Sequence, residues 1–95
     1  MVASRWTFLT NHAMVLFEVW RTPDITVREI AEHVQITERA AHRILAALVQ
    51  EGYVSRKRIG RNNHYYVSPD SRFRHPGIQH LEIGRLLEAL GRPLA

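Results

Sequence analysis

The amino-acid sequence predicts a mainly α-helical fold that carries one small β-hairpin. Thr10, Thr26 and Thr37 each follow an apolar residue. Threonine is a good helix N-cap, because its hydroxyl accepts a backbone N–H that the first helical turn leaves unpaired. Apolar residues with helical spacing follow all three. Residues 53–67 instead place β-branched and aromatic side chains around a tip rich in glycine and asparagine, which is typical of a hairpin.

The first predicted helix runs from Thr10 to Arg21 and stops ahead of Pro23, because proline cannot continue a helix. Helical spacing predicts a buried stripe that consists of Leu9, Ala13, Leu16, Phe17 and Trp20. Further apolar surface on its other sides comes from Phe8, Met14, Val15 and Val19. A helix that is apolar nearly all round is enclosed by more than one neighbour, which can include a second subunit.

The second predicted helix covers about Val27 to Val34. Its N-cap Thr26 is followed three residues later by Glu29, the spacing of a capping box. The expected inward face consists of Val27, Ile30, Ala31 and Val34.

The third predicted helix starts at Thr37 and ends at Glu51, and Gly52 follows where helices commonly end on a left-handed residue. Its expected inward face consists of Ala41, Ile44 or Leu45, Leu48 and Val49. Only Gln35 and Ile36 separate it from the second helix. Because this connection is too short for easy antiparallel packing, the two helices should cross steeply, as in a helix-turn-helix.

The predicted hairpin has strands at Tyr53–Ile59 and His64–Val67, joined by a four-residue tip from Gly60 to Asn63. An irregular connector follows and leads to a last amphipathic helix over residues 78–90, closed by Gly91 and Pro93. Together these elements predict one winged helix-turn-helix domain over residues 1–95. Its core is expected at 9–68, with the last helix as an addition.

Composition limits the classes of function that the chain can have. With 95 residues and no cysteine, one domain without a disulfide or a thiolate metal site is expected. No stretch has the length of a membrane span and the N-terminus lacks a signal-peptide pattern, so a cytoplasmic location without membrane contact is predicted. No phosphate loop or nucleophile–base pair is recognisable, and therefore neither catalysis nor a cofactor is predicted.

The positive charge is concentrated in one part of the sequence. The net charge is +4, and six basic residues accompany the single acid Asp70 between Tyr53 and His75: Arg56, Lys57, Arg58, Arg61, Arg72 and Arg74. A local positive potential is what phosphate binding needs, although a solvated basic surface explains the hairpin charges equally well.

Two groups of residues are candidates for contact with double-stranded DNA. The outward face of the third helix supplies Thr37, Arg39, Ala40, His42 and Arg43, with Glu38 more simply explained as a first-turn acid. Arginine can bind guanine bidentately, whereas the Thr37 hydroxyl suits a phosphate. The hairpin supplies Arg56, Lys57, Arg58, Arg61, Asn62, Asn63 and His64. Arg61 is the candidate for the minor groove, whereas turn geometry explains Asn62 and Asn63 equally well. Strand alternation puts Arg56 and Arg58 on one face and Lys57 on the other.

The segment from Thr26 to Val54, TVREIAEHVQITERAAHRILAALVQEGYV, resembles the DNA-binding core of MarR-like and ArsR-like bacterial regulators. Its most specific part is the junction Glu51-Gly52-Tyr53-Val54 ahead of a basic wing. The resemblance covers about residues 9–68 and implies a dimeric transcription regulator. Glycine is common at the position of Gln35 in that family. Gln35 therefore either adopts a left-handed conformation at a cost of ~1–2 kcal/mol, or the turn differs.

Other functions remain open at the level of sequence. A winged helix can bind protein instead of DNA, but such a wing would not need the clustered arginines and Lys57. Metal sensing is disfavoured because His75, His80 and Glu82 do not form a recognisable ligand motif. The residues identify no effector ligand. Surplus apolar surface on the first helix and an amphipathic last helix predict a homodimer, unless the last helix only covers the first within one chain.

Overall fold

The computed structural model describes residues 8–91, and within them four helices and a two-stranded antiparallel sheet follow one another. In chain order these are α1 (Asn11–Arg21), α2 (Val27–Val34), α3 (Glu38–Gln50), β1 (Val54–Ile59), β2 (Asn62–Val67) and α4 (Ile83–Leu90). The predicted fold class, mainly α with a small hairpin in a winged helix-turn-helix arrangement, is confirmed. No helix within residues 8–91 is long and apolar enough to cross a membrane.

All three threonine caps form as predicted. The Thr10 hydroxyl accepts the Ala13 N–H at 3.2 Å, and the Thr37 hydroxyl accepts the Ala40 N–H at 3.0 Å. At Thr26 the capping box is complete, because the Glu29 carboxylate also accepts the Thr26 backbone N–H at 3.0 Å. Such a cap typically stabilises a protein by about 1 kcal/mol, so the starts of the three helices are fixed locally.

Gln35, in the turn between α2 and α3, adopts the left-handed conformation, which was one of the two alternatives that the sequence allowed. Gln35 has φ 63° and ψ 51°, and its N–H donates to the carbonyl of Ala31. The Ile36 N–H donates to the same carbonyl at 3.0 Å. A non-glycine residue in this conformation costs ~1–2 kcal/mol. The left-handed residue turns the chain from the end of α2 into the start of α3.

The predicted buried stripe of α1 is partly wrong. Its fully buried apolar residues are Val15, Leu16 and Val19, whereas Leu9, Ala13, Phe17 and Trp20 are half-buried and Phe8 is exposed. Because α1 is apolar on most sides, its sequence defines no unique inward face. Packing against α2, α3, β2 and α4 selects that face instead. On α3, both Ile44 and Leu45 are buried.

The hairpin turn is two residues long, so the predicted four-residue tip is wrong. Ile59 pairs with Asn62 and Arg58 pairs with Asn63, which leaves only Gly60 and Arg61 between the strands. Gly60 has φ 63°, and glycine at the first central position is the preference of a type II′ hairpin turn. The asparagines therefore belong to β2.

The last helix starts later than predicted. Ile83 donates its N–H to the Ser71 carbonyl at 2.7 Å, and Phe73 donates to the Leu81 carbonyl at 3.2 Å. The predicted irregular connector did not include this backbone pairing, which keeps Glu82 extended and leaves Ile78 outside the helix. Gly91 is the C-cap of α4, whereas Pro93 lies outside the described residues.

Gly84 lies inside α4 for a steric reason. Its N–H donates to the Pro69 carbonyl at 2.8 Å. A Cβ at this position would lie 2.9 Å from the Pro69 carbonyl oxygen and 3.0 Å from the Pro69 Cβ. Only glycine permits this close approach of α4 to the segment that follows β2.

Candidate nucleic-acid interface

The N-terminal half of α3 presents its charged residues to solvent. Ala41, Ile44, Leu45 and Leu48 hold the opposite face of the helix in the core. Thr37, Glu38, Arg39, His42 and Arg43 are exposed, and Ala40 is half-buried. Arg39 and Arg43 are four residues apart and therefore project on the same side. Neither forms an ion pair within residues 8–91, so both guanidinium groups remain available to a partner.

Thr37 already has a structural role in the helix. Its hydroxyl oxygen accepts the Ala40 N–H, which leaves the hydroxyl hydrogen as a donor to an external acceptor. The same residue can therefore cap α3 and contact an anion.

The two faces of the hairpin differ in their surroundings. Arg56 lies opposite Tyr65 and Arg58 lies opposite Asn63, on the face that also contains the buried Val54. Lys57 lies opposite His64 on the other face, as the alternation predicts. Arg56 and Arg58 thus share the side of the hairpin that turns towards the helices, whereas Lys57 is on the outer side.

Two small surface depressions flank the inner face of the hairpin. One, which we call the α3–β1 notch, has a volume of about 270 Å³ and is lined by His42, Leu45, Ala46, Val49, Arg56 and Tyr65. The other, the wing-tip notch, has a volume of about 140 Å³ and lies between residues 24–27 and a hairpin group that comprises Arg61, Asn62, Asn63 and Tyr65. The hairpin therefore lies beside both helices of the helix-turn-helix.

Tyr65 is a candidate functional residue that the sequence reasoning missed. It lines both notches and is only 4% exposed. Its N–H donates to the Pro23 carbonyl at 2.9 Å and ties β2 to the loop after α1. Strand alternation could have indicated only that Tyr65 faces away from His64 and Tyr66. Its pairing with Arg56 depends on the two-residue turn that the structure shows.

The basic cluster of the sequence divides into two groups. The hairpin members, Arg56, Lys57, Arg58 and Arg61, are exposed, although the Arg58 Nε also donates to the Gly60 carbonyl at 3.3 Å. Arg72 donates to the His80 carbonyl at 3.2 Å. Arg74 donates to the Glu51 carbonyl and lies over the Tyr53 ring, with its guanidinium carbon 5.2 Å from the ring centroid. The last two arginines thus stabilise the chain's own fold beyond the C-terminus of α3.

Negative charge lies close to the wing-tip notch. Hydrogen bonds from the Thr26 backbone N–H and hydroxyl to the Glu29 carboxylate lower the pKa of Glu29 from its ordinary value of 4.5. Asp24 lines the notch itself. A carboxylate at the start of α2 is favoured by the helix dipole, but it opposes an approaching phosphate.

The histidines near the C-terminus form no obvious metal centre. Across residues 8–91, no group of three or more histidine, aspartate or glutamate side chains is arranged to hold a metal ion. The His75 ring accepts the Gly77 N–H through Nδ1 at 3.0 Å, which is a local contact within the connecting loop.

Comparisons with known proteins place this chain among winged-helix regulators. No curated protein matches it significantly. One similar solved structure is that of AdcR, a zinc-dependent MarR family transcriptional regulator, in its Zn(II)-bound state. That match has 19% sequence identity and a TM-score of 0.49, and it covers 70% of this chain and 47% of AdcR. The chain thus spans about half the length of that protein. The MarR family model matches residues 7–62; since this segment is more than half of the sequence, the chain belongs to the MarR family.

Proposed function

We propose that this chain is a sequence-specific, double-stranded DNA-binding transcription regulator that acts in the cytoplasm. Proteins of the MarR family bind DNA, and one observation carries the proposal here. Arg39 and Arg43 project from the exposed side of α3 without an ion-pair partner within residues 8–91, next to a cationic hairpin. An exposed pair of this kind beside a basic wing suits a polyanion with base edges to read.

In the proposed complex, α3 enters the major groove with its N-terminal half. Arg39 and Arg43 bind base edges, and a bidentate contact to guanine contributes roughly 1–3 kcal/mol of discrimination. His42 and the small Ala40 allow the helix to approach the groove closely, while the Thr37 hydroxyl contacts a phosphate. These contacts position the protein and select the sequence.

The proposed role of the wing is to bind the DNA backbone and the adjacent minor groove. Arg61 is in the turn of the hairpin and is exposed, so it is suited to a narrow minor groove, which attracts arginine. Its proposed neighbours in backbone binding are Arg56, Lys57, Arg58, Asn62, Asn63 and His64. Because Asn62 and Asn63 belong to β2, their side chains alternate between the faces of the hairpin and do not act as one group.

Selection of bound sequences from random duplex DNA, followed by titration of the selected duplex at several salt concentrations, tests this function. We expect affinity to fall steeply with salt, because each neutralised phosphate contributes about −0.9 to the log–log slope. Arg61→Gln should weaken binding to many sequences, whereas Arg39→Gln or Arg43→Gln should also relax the base preference. Failure to enrich any sequence, or an affinity that ignores salt, would favour a protein-binding winged helix.

We further propose that the protein acts as a homodimer through α1 and α4. Ile83 and Leu87 of α4 are buried within the same chain, but Leu90 remains 39% exposed. Between α1 and α4 lies a mainly apolar groove of about 260 Å³, whose lining includes Ala13, Leu16 and Leu86. Small domains commonly gain burial by pairing. A symmetric dimer would place two α3 helices roughly 34 Å apart, one turn of DNA.

A further inference from the structure

We propose that the α3–β1 notch binds one phosphate of the DNA backbone, through the guanidinium of Arg56 and the hydroxyl of Tyr65. This inference rests on the proposed DNA binding and adds a residue, Tyr65, that the sequence did not indicate. The notch has a volume of about 270 Å³. One water molecule in the liquid occupies about 30 Å³, so the notch has room for several. A phosphodiester group and its hydration can therefore enter it.

The first observation behind this proposal is the Tyr65 hydroxyl. The residue is only 4% exposed, and its hydroxyl forms no hydrogen bond within residues 8–91. Within residues 8–91, the Trp20 indole nitrogen is the one side-chain polar atom that is both fully buried and unpaired, so the unpaired Tyr65 hydroxyl keeps some contact with solvent. Since Tyr65 lines the notch, an unpaired and partly accessible hydroxyl there can donate to an external acceptor, and a phosphate oxygen is a strong one.

The second observation is the charge of the notch lining. Arg56 lies directly opposite Tyr65 on the same face of the hairpin, and it forms no ion pair within residues 8–91. None of the six residues that line the notch is acidic. The wing-tip notch differs, because Asp24 lines it and Glu29 lies at the start of α2 nearby. The α3–β1 notch therefore favours an anion more strongly than the wing-tip notch does, because carboxylates offset the charge of Arg61 there.

The third observation is the place of the notch on the molecule. His42 and Ala46 form its α3 wall and lie three and seven residues after Arg39, so they continue the same exposed stripe of the helix. A helix that reads base edges has the sugar-phosphate backbone beside it, and contacts to that backbone fix its register. DNA is therefore the source of the phosphate that this notch receives.

Two variants test the site against matched controls in the full chain with the selected duplex. Tyr65→Phe removes only the hydroxyl, and Tyr66→Phe makes the same change at a residue on the outer face of the hairpin. Arg56→Gln removes an inward charge, and Lys57→Gln removes an outward one. We expect Tyr65→Phe to weaken DNA binding by about tenfold to a hundredfold, the range of a lost hydrogen bond to a charged acceptor. Tyr66→Phe should bind like the wild type.

Arg56→Gln should reduce the magnitude of the salt slope by about 1 and weaken binding more than Lys57→Gln does. Thermal unfolding of Tyr65→Phe should occur at or above the wild-type temperature, because the lost hydroxyl has no partner in the free protein. A merely structural tyrosine would show the reverse pattern, with lower stability and unchanged affinity.

The outcomes separate the phosphate site from DNA binding itself. If the wild type binds DNA but Tyr65→Phe behaves like Tyr66→Phe, the phosphate site is refuted and the proposed function stands. The same conclusion follows if Arg56→Gln and Lys57→Gln cause equal losses. If the wild type binds no duplex in a salt-dependent manner, the proposed function itself is wrong.

Discussion

At the scale of single residues, the Glu29 carboxylate makes the stability of the α2 cap depend on pH. Glu29 accepts hydrogen bonds from the backbone N–H and the hydroxyl of Thr26, at 3.0 and 2.9 Å. Both bonds favour the charged carboxylate and lower its pKa. The folded protein therefore binds this proton more weakly than the unfolded chain does, and the cap is strongest when Glu29 is ionised.

We expect the stabilising effect of the Glu29 charge to disappear in acid. Because the folded pKa is lowered, the effect is fully present above the ordinary value of 4.5 and is lost as the pH falls through the folded value. The free energy of unfolding of Glu29→Gln should therefore lie below that of the wild type at neutral pH and approach it below pH 4.5. Glutamine can still accept the Thr26 N–H, so this variant isolates the charge.

Glu88→Gln is the matched control, since Glu88 is an exposed residue of α4 with no hydrogen bond or ion pair within residues 8–91. Its free energy of unfolding should follow the wild type across the same range. A Glu29→Gln variant that differs from the wild type equally at neutral and acid pH would contradict this explanation of the capping box.

The sequence predicted only some of the residues of the candidate interface. Helical periodicity was enough to find Arg39 and Arg43, because an exposed position on a helix follows from its spacing to buried ones. The notch was not predictable, since it depends on where β1 packs against α3. Likewise, charge alone did not separate Arg72 and Arg74, which bind carbonyl groups of their own chain, from the exposed hairpin arginines.

At the scale of elements, those with local signals were predicted well and those that depend on distant pairing were not. The caps at Thr10, Thr26 and Thr37 are encoded within four residues, so α1 to α3 begin where expected. By contrast, the start of α4 is set by hydrogen bonds from Ile83 to Ser71 and from Gly84 to Pro69. No pattern within residues 78–90 reveals those partners.

Gly84 gives a direct test of that long-range contact. Helix propensity alone predicts that Gly84→Ala stabilises the protein by about 1 kcal/mol. The structure predicts the opposite sign, because the added methyl group would lie 2.9 Å from the Pro69 carbonyl oxygen. Forced overpacking of this kind typically costs about 1–3 kcal/mol. Chemical denaturation of the two proteins measures the difference, and a more stable Gly84→Ala protein would show that α4 does not pack closely on Pro69.

Ala89→Gly provides a reference for helix propensity in the same element. Ala89 is exposed in the last turn of α4, so its replacement should cost at most about 1 kcal/mol, the value for a helix interior, and adds no steric clash. We expect both substitutions to destabilise the protein. Gly84→Ala does so through the clash with Pro69, and Ala89→Gly does so because glycine gives the unfolded chain more conformational freedom.

At the scale of the whole molecule, charged residues and apolar residues are exposed in different places. The exposed arginines of α3 and the hairpin form the charged side, where the proposed DNA contacts lie. The groove between α1 and α4 is mainly apolar, and Leu90 at the end of α4 is partly exposed. Because α4 covers α1 with Ile83 and Leu87 within one chain, any dimer must use the apolar surface that remains.

The proposed dimer predicts that a charge at the end of α4 separates the subunits. Leu90→Glu places a carboxylate at a residue that is 39% exposed and outside the buried core, so the monomer should keep its fold. Ile59→Glu makes the same kind of change at a hairpin residue that is 46% exposed. By light scattering at micromolar concentration, the wild type and Ile59→Glu should be dimers, and Leu90→Glu should be a monomer. Circular dichroism checks that each variant is folded.

The dimer also predicts the form of the DNA site. Two α3 helices related by a two-fold axis read half-sites one helical turn apart, so the selected sequences should contain an inverted repeat with centres separated by about 10 base pairs. Leu90→Glu should then bind a single half-site with the same base preference but lose the gain in affinity that comes from linking two sites. A wild-type protein that is monomeric and selects a single, non-repeated site would refute the dimer, while leaving the assignment of α3 to the major groove intact.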